Sequence, residues 1–128
     1  MLAYTMVGTR DLDRALAFYE PLFQEMDLEV CWRDDQCVSY GREDDPYVPR
    51  FFVGYPFDGK PASVGNGGMT AFQFSEPEQV DRLYDIALEQ GGRDEGEPDW
   101  RPQYGDGFYA AYVRDPDGNK LAFVVYPT

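Results

Sequence analysis

Hydrophobic and polar positions along this chain repeat with two different periods, and the switches between them mark out its elements. Residues 2–8 (LAYTMVG) alternate as a strand does, with successive side chains on opposite faces. From Asp11 the period changes. Leu12, Ala15, Leu16, Tyr19 and Leu22 recur at helical spacing and give one apolar stripe over 11–24. Asp11 suits the positive end of that helix's dipole. Segments 28–33 and 36–40 (LEVCWR and QCVSY) predict a hairpin turning at Asp34-Asp35, and RFFVGY over 50–55 predicts a further strand after an acidic loop with Pro46 and Pro49.

Residues 56–67 (PFDGKPASVGNG) have no period and read as a linker or mobile loop, a candidate lid. The order then restarts. Residues 68–74 (GMTAFQF) predict a strand, and Ser75 with Glu78 has the spacing of a capping box. Val80, Leu83, Tyr84 and Ala87 give a helical face, which Gly91-Gly92 ends. A short strand over 93–97, a better one over 107–114, a tight turn at Asp115-Pro116-Asp117-Gly118 and a last strand over 119–126 complete the chain. Both halves share the plan strand–helix–three strands. The expected architecture is therefore α+β: two βαβββ modules forming a cupped mixed sheet around a central cavity, helices on the outer face. Residues 1–128 make one domain, with module one about 1–56, a linker about 57–67 and module two about 68–128.

Composition narrows the function. At 128 residues the chain has the commonest domain size of about 100–150. Its 24 acids against 11 bases leave a net charge of −13, which repels phosphate backbones and anionic headgroups, so neither nucleic acid nor membrane is an expected partner. No apolar window approaches the roughly 20 residues of a membrane span, and no basic leader is evident. Cys31 and Cys37 fit a reducing compartment, and the expected location is cytoplasmic; a disulfide across the hairpin is geometrically open, with two reduced thiols preferred. The 10 tyrosines and 9 phenylalanines exceed what a core alone demands and suit a greasy pocket with a few hydroxyls.

Taken together, DLDRALAFYEPLF after the first strand, GNGGMTAFQF opening the second half, GGRDEGEP after the second helix and YAAYVRDPDGNKLAFVVY at the end resemble the vicinal oxygen chelate superfamily. That superfamily holds the glyoxalase, bleomycin-resistance and extradiol dioxygenase proteins. The resemblance covers essentially the whole chain. It implies paired βαβββ modules, a homodimer, and in metal-dependent members a divalent ion held by two histidines and a glutamate. Carried over by position, the first-strand histidine falls on Tyr4, the histidine of the strand opening module two on Met69, and the glutamate on Ala122. The fourth strand offers no acid, its inward position being Phe51 or Val53. Such ligands must bring a lone pair to about 2.0–2.2 Å from the ion, and a thioether, a methyl group and a phenol do not form that set. The chain has no histidine, so no other alignment restores one.

Strand alternation that turns Tyr4, Met69 and Ala122 inward also turns Met6, Gly8, Ala71, Gln73, Val124 and Tyr126 inward. Trp100, Arg101, Tyr104 and Tyr109, in and after the loop preceding the seventh strand, are placed to clasp a planar or anionic ligand. The ligand-binding set is then Tyr4, Phe51, Met69, Gln73, Arg101, Tyr104, Tyr109, Ala122 and Tyr126, with no catalytic residue, no metal and no cofactor. The function so implied is a metal-independent binding protein for an unknown small molecule, sequestering or protective in effect. The alternative is a lyase, isomerase or dioxygenase of the same superfamily with a non-standard site.

Overall fold

A computed structural model describes residues 1–127. The elements follow the expected order: β1 (Tyr4–Gly8), α1 (Leu12–Glu25), β2 (Glu29–Arg33), β3 (Cys37–Gly41), β4 (Arg50–Gly54), β5 (Thr70–Phe74), α2 (Pro77–Glu89), β6 (Arg93–Trp100), β7 (Tyr109–Arg114) and β8 (Lys120–Val125). A 3-10 turn (Pro102–Tyr104) precedes β7. The strands make two mixed four-stranded sheets of identical topology, β1-β4-β3-β2 and β5-β8-β7-β6. In each, the first and last strands of the module pair in parallel and the others antiparallel.

Local chemistry sets the helix starts. Asp11 caps α1, its carboxylate accepting the Arg14 amide at 3.1 Å. The box expected at Ser75 and Glu78 sits one residue later. Pro77 takes the first helical position, where its missing N–H costs nothing, and makes Glu76 the cap. The Gln79 side-chain oxygen then accepts the Glu76 and Ser75 amides at 3.0 and 3.2 Å. β6 runs to Trp100, beyond the expected 97, because two irregularities let it follow β7 past the bulged segment.

One core serves both modules. It joins Ala15, Phe18, Tyr19, Leu22 and Phe23 of α1 to Phe51 and Val53 of β4, to Val80, Leu83 and Ala87 of α2, and to Leu121 and Phe123 of β8. Phe72 of β5 packs edge-on against Phe23 and tilted against Phe51, its ring centroid 5.8 and 5.4 Å from theirs. Hence the helix-bearing faces of the two sheets share their burial.

The turn after β7 locks that arrangement. Gly118 holds φ +97, the left-handed value the last corner requires. The buried Asp115 accepts the Tyr19 hydroxyl of α1 at 2.6 Å, the Asn119 side-chain amide at 2.9 Å, and the Asp117 and Asn119 backbone amides. Asp117, also buried, accepts the Thr9 hydroxyl at 2.5 Å, the Arg10 amide at 3.0 Å and the Arg14 guanidinium at 2.8 Å. Asn119 also donates to the Gly8 carbonyl at 2.9 Å. The β7–β8 turn of module two therefore holds the β1–α1 junction of module one.

Removing a carboxylate from this cluster strands buried donors. Asp117→Ala is expected to lower the unfolding free energy by roughly 3 kcal/mol and Tyr19→Phe by about 1.5 kcal/mol. Asp44→Ala, which breaks only the solvated pair with Arg42, leaves the urea midpoint unchanged. Equal midpoints for all three in urea denaturation contradict the role given to the turn.

Candidate functional site

The strand faces turned away from the helices are open. On sheet one, register puts Tyr4 beside Arg50 and Met6 beside Phe52, with Ser39 opposite Phe52 and Trp32 opposite Ser39. These residues therefore share the face opposite to Phe51, Val53, Val38 and Tyr40, which are in the core. Tyr4 is 62% exposed, its ring meeting Phe52 edge-on at 5.2 Å. Arg50 lies along the sheet over Gly41, where a Cβ would fall 2.6 Å from its Cδ, and donates to the Arg42 carbonyl at 2.7 Å. With Cys31, Trp32, Ser39, Glu43 and Phe52, Arg50 lines a shallow recess.

The corresponding face of sheet two carries Ala71, Gln73, Lys120, Ala122, Val124, Ala110 and Tyr112. Its floor of small side chains is roofed: Ala110, Ala122 and Val124 form a buried cluster against Phe108 and Tyr112. The Arg101 guanidinium lies over the Tyr112 ring, 5.5 Å from its centroid, and Lys120 Nζ lies over the same ring at 5.4 Å. Gly96 makes the approach possible, since a Cβ there would meet Tyr112 Cδ2 at 2.9 Å and Arg101 Nη2 at 3.4 Å. Arg101 Nη2 donates to the Glu97 carbonyl at 2.5 Å and the Ala110 carbonyl at 3.3 Å, while its buried Nε has no acceptor. Burial pushes the Tyr112 phenol up, Tyr104 reinforces the shift and Arg101 opposes it, so this ring stays neutral.

The two faces meet at one cleft of about 250 Å³, lined by Met6 and Gly8 of β1, by Met69 and Thr70 at the start of β5, by Asn119 and Lys120, and by Ser63, Val64 and Gly65 of the connecting loop. The loop expected as a lid thus forms one wall. Met69 is 52% exposed.

The expected site residues divide accordingly. Met69 lines the cleft and Tyr4 stands on the neighbouring open face. Gln73 and Tyr126 border a groove of about 750 Å³ at the far ends of β5 and β8, with Asp106 and Pro127. Arg101 folds onto Tyr112, and Tyr104 packs on Phe108 at 5.7 Å, remaining exposed. Ala122 has no exposed surface, so it offers a ligand nothing directly. Two residues lie elsewhere. Phe51 belongs to the helix-side core, because β4 pairs with β1 in the register that turns Phe52 outward. Tyr109 also faces the helix, donating its hydroxyl to Asp81 of α2 at 2.6 Å and meeting Trp100 edge-on. Phe52, Tyr112 and Lys120 were not anticipated. Fixing the β4 register on the Phe51-x-Val53 pair as core would have exposed the first.

Among the described residues, no three Cys, Asp or Glu side chains come together as a metal site. Tyr4, Met69 and Ala122, the positions to which the resemblance carries the superfamily's ligands, offer a phenol, a thioether and a buried methyl group, a donor set that does not fit a divalent ion. Both cysteines are free, and burial pushes each thiol up, leaving little thiolate for nucleophilic work. Among the described residues, no helix is long and apolar enough to cross a membrane.

Two identical βαβββ modules with open faces are the signature to place among known proteins, and the model of the glyoxalase/bleomycin resistance protein/dioxygenase superfamily matches residues 1–123. The chain belongs to this superfamily. A glyoxalase/bleomycin resistance protein from Albidiferax ferrireducens is 30% identical, with 99% of each chain covered and a TM-score of 0.85. A glyoxalase-related enzyme from Fulvimarina pelagi is similar in fold at 19% identity, covering 99% of this chain and 88% of its own, with a TM-score of 0.76. The lactoylglutathione lyase from Agrobacterium tumefaciens shares the fold at 22% identity, 98% and 92% coverage and a TM-score of 0.69. No curated protein matches the sequence. Within the glyoxalase superfamily, then, this chain keeps the fold of these structures over nearly its whole length.

The helix-side tyrosines give a measurable signature. Desolvation, with the Asp81 hydrogen bond second, pushes Tyr109 up to about 12, and desolvation with Asp94 does the same to Tyr84. A phenol raised above its unfolded value of about 10 adds stability that is complete below pH 10 and lost as pH rises through 12. Stability is therefore expected to fall between about pH 10 and 12, and Tyr84→Phe with Tyr109→Phe to flatten that fall. An unchanged slope in pH-dependent urea melts contradicts the assignment.

Proposed function

We propose that the protein binds a small molecule with an apolar body in the cleft between the two modules, without a histidine-based metal, and that two chains pair to enclose the ligand. The observation that carries this is the exposed apolar surface. Met6 and Met69 line the cleft, and Tyr4 and Trp32 extend exposed apolar surface along the same face of sheet one, where metal-dependent members of the superfamily would hold an ion. Monomeric soluble proteins rarely leave such groups clustered in water, and where they do the patch serves binding. The carbon, sulfur and phenol surface favours an apolar body by hydrophobic burial, and methionine adapts to its shape. A second copy covers what one chain leaves open and protects the edges of the β1 and β5 strands. A cytoplasmic, reducing setting accords with the two free thiols.

The neutral fluorophore N-phenyl-1-naphthylamine is expected to bind the native protein saturably, and Met6→Glu with Met69→Glu to abolish that binding. Phe57→Glu, on an exposed loop, leaves it intact. Failure of the wild-type protein to bind the fluorophore overturns the reading. Protein purified and dialysed is expected to retain no stoichiometric Fe, Mn, Ni or Zn, and a retained equivalent of any of them refutes metal independence. In sedimentation velocity the native chain runs as a dimer and Met6→Glu shifts it toward monomer; a monomer at every concentration contradicts pairing.

A further inference from the structure

The cations of this acidic protein are distributed in a way that names the polar end of the ligand. Of its 11 Lys and Arg, Arg10, Arg14, Arg42, Arg82 and Arg114 each lie within 4 Å of a carboxylate. Among the described residues the other six have no such partner. Arg33, Lys60 and Arg93 are exposed, where water satisfies them, while Arg50, Arg101 and Lys120 are half-buried. All three half-buried ones stand on the open faces: Arg50 beside Tyr4 on sheet one, Arg101 and Lys120 over Tyr112 on sheet two.

With 24 acids available, a half-buried cation left without one is a choice the fold has to sustain. Desolvation of an ammonium or guanidinium is unfavourable unless a counter-charge or acceptor arrives. Here the ring of Tyr112 and a few backbone carbonyls hold the cations in place, but supply no negative charge. Glu95 at the β6 bulge is paired with Arg114 at 2.7 Å and also feels the Lys120 charge, but it is not within 4 Å of that ammonium. Glu43 lines the recess beside Arg50 and comes within 4 Å of no cation. Arg101 has a further vacancy, the buried Nε without an acceptor. Lys120 Nζ makes no side-chain hydrogen bond among the described residues, and its residue lines the cleft with Met6 and Met69.

We propose that Lys120 and Arg101, over Tyr112, form an anion subsite beside the apolar cleft, so that the ligand is an amphiphilic anion: an apolar or aromatic body bearing a carboxylate, sulfonate or phosphate. This rests on the binding reading above and specifies its polar end. Lys120 is the point charge at the cleft wall. Arg101 adds a second positive charge at the same ring, its guanidinium 5.5 Å from the Tyr112 centroid. The net charge of −13 opposes an anion everywhere on the surface, so binding at this subsite depends on the local field of its cations exceeding that repulsion.

The test compares two probes with the same aromatic frame on the native full-length protein: 8-anilinonaphthalene-1-sulfonate and the uncharged N-phenyl-1-naphthylamine. The wild-type protein is expected to bind the sulfonate more tightly, and Lys120→Met and Arg101→Met each to weaken it at least about tenfold, the scale of one charge-assisted contact. The same substitutions change binding of the neutral probe less than twofold, and Lys60→Met changes neither. Lys120 makes no side-chain hydrogen bond among the described residues, and its contact with the Tyr112 ring is kept by the methionine stem, so if Arg101→Met fails to fold, Lys120→Met decides. Equal sulfonate affinity in wild type and Lys120→Met overturns the anion subsite while binding of the neutral probe keeps the pocket. Absence of binding by both probes overturns the pocket and the subsite together.

Discussion

Two buried carboxylates in the β7–β8 turn are the constraint on which the rest of the molecule hangs. Asp115 and Asp117 are saturated with donors, and four of those donors come from the other module: the Tyr19 hydroxyl, the Thr9 hydroxyl, the Arg10 amide and the Arg14 guanidinium. A buried carboxylate tolerates its setting only with such partners. The turn therefore does more than reverse the chain. It fixes where α1 begins relative to β8, and so which surface of module one meets module two.

Once the β1–α1 junction is pinned to that turn, the packing follows. α1 lies against Phe72 and α2, with Glu25 reaching Arg82 at 2.7 Å, and the helix-side faces of both sheets are consumed in one aromatic core. The remaining faces have nothing within the chain to cover them. In sheet two the floor of alanines is closed by Tyr112 and Phe108 lying down on it; in sheet one the larger Tyr4, Met6 and Trp32 stay exposed. The same seam thus accounts for the stability of the chain and for its unsatisfied surface, which is where binding is placed.

Most of the fold was legible because its signals are local. Period changes at Asp11 and after Phe74, the Asp-Pro-Asp-Gly turn and the glycines after α2 place every strand and helix within a few residues. The site was legible only in part, for reasons specific to strands. A slip of one position reverses the face, and the strand RFFVG offers two adjacent phenylalanines with equal claims to the inside; the β1–β4 register decides for Phe52. Tyr109 sits one residue from the face it was assigned to, and its Asp81 partner is on a helix 28 positions earlier. The cation pair over Tyr112 joins residues from three segments, so no stretch of sequence announces it.

The small side chain at Ala122 and the cation-capped ring belong to one structural arrangement. Ala122 occupies the position where a carboxylate would stand, and its methyl group, with Ala110, leaves just the depth in which the Tyr112 ring lies against the sheet. Gly96 opens the other side, allowing ring and guanidinium to approach backbone that any side chain would block. A glutamate at 122 would have to displace Tyr112, and with it the support beneath Arg101 and Lys120, before its oxygens reached the open face. The alanine floor, the glycine and the roof of ring and cations are therefore mutually dependent, and the proposed anion subsite rests on all three together.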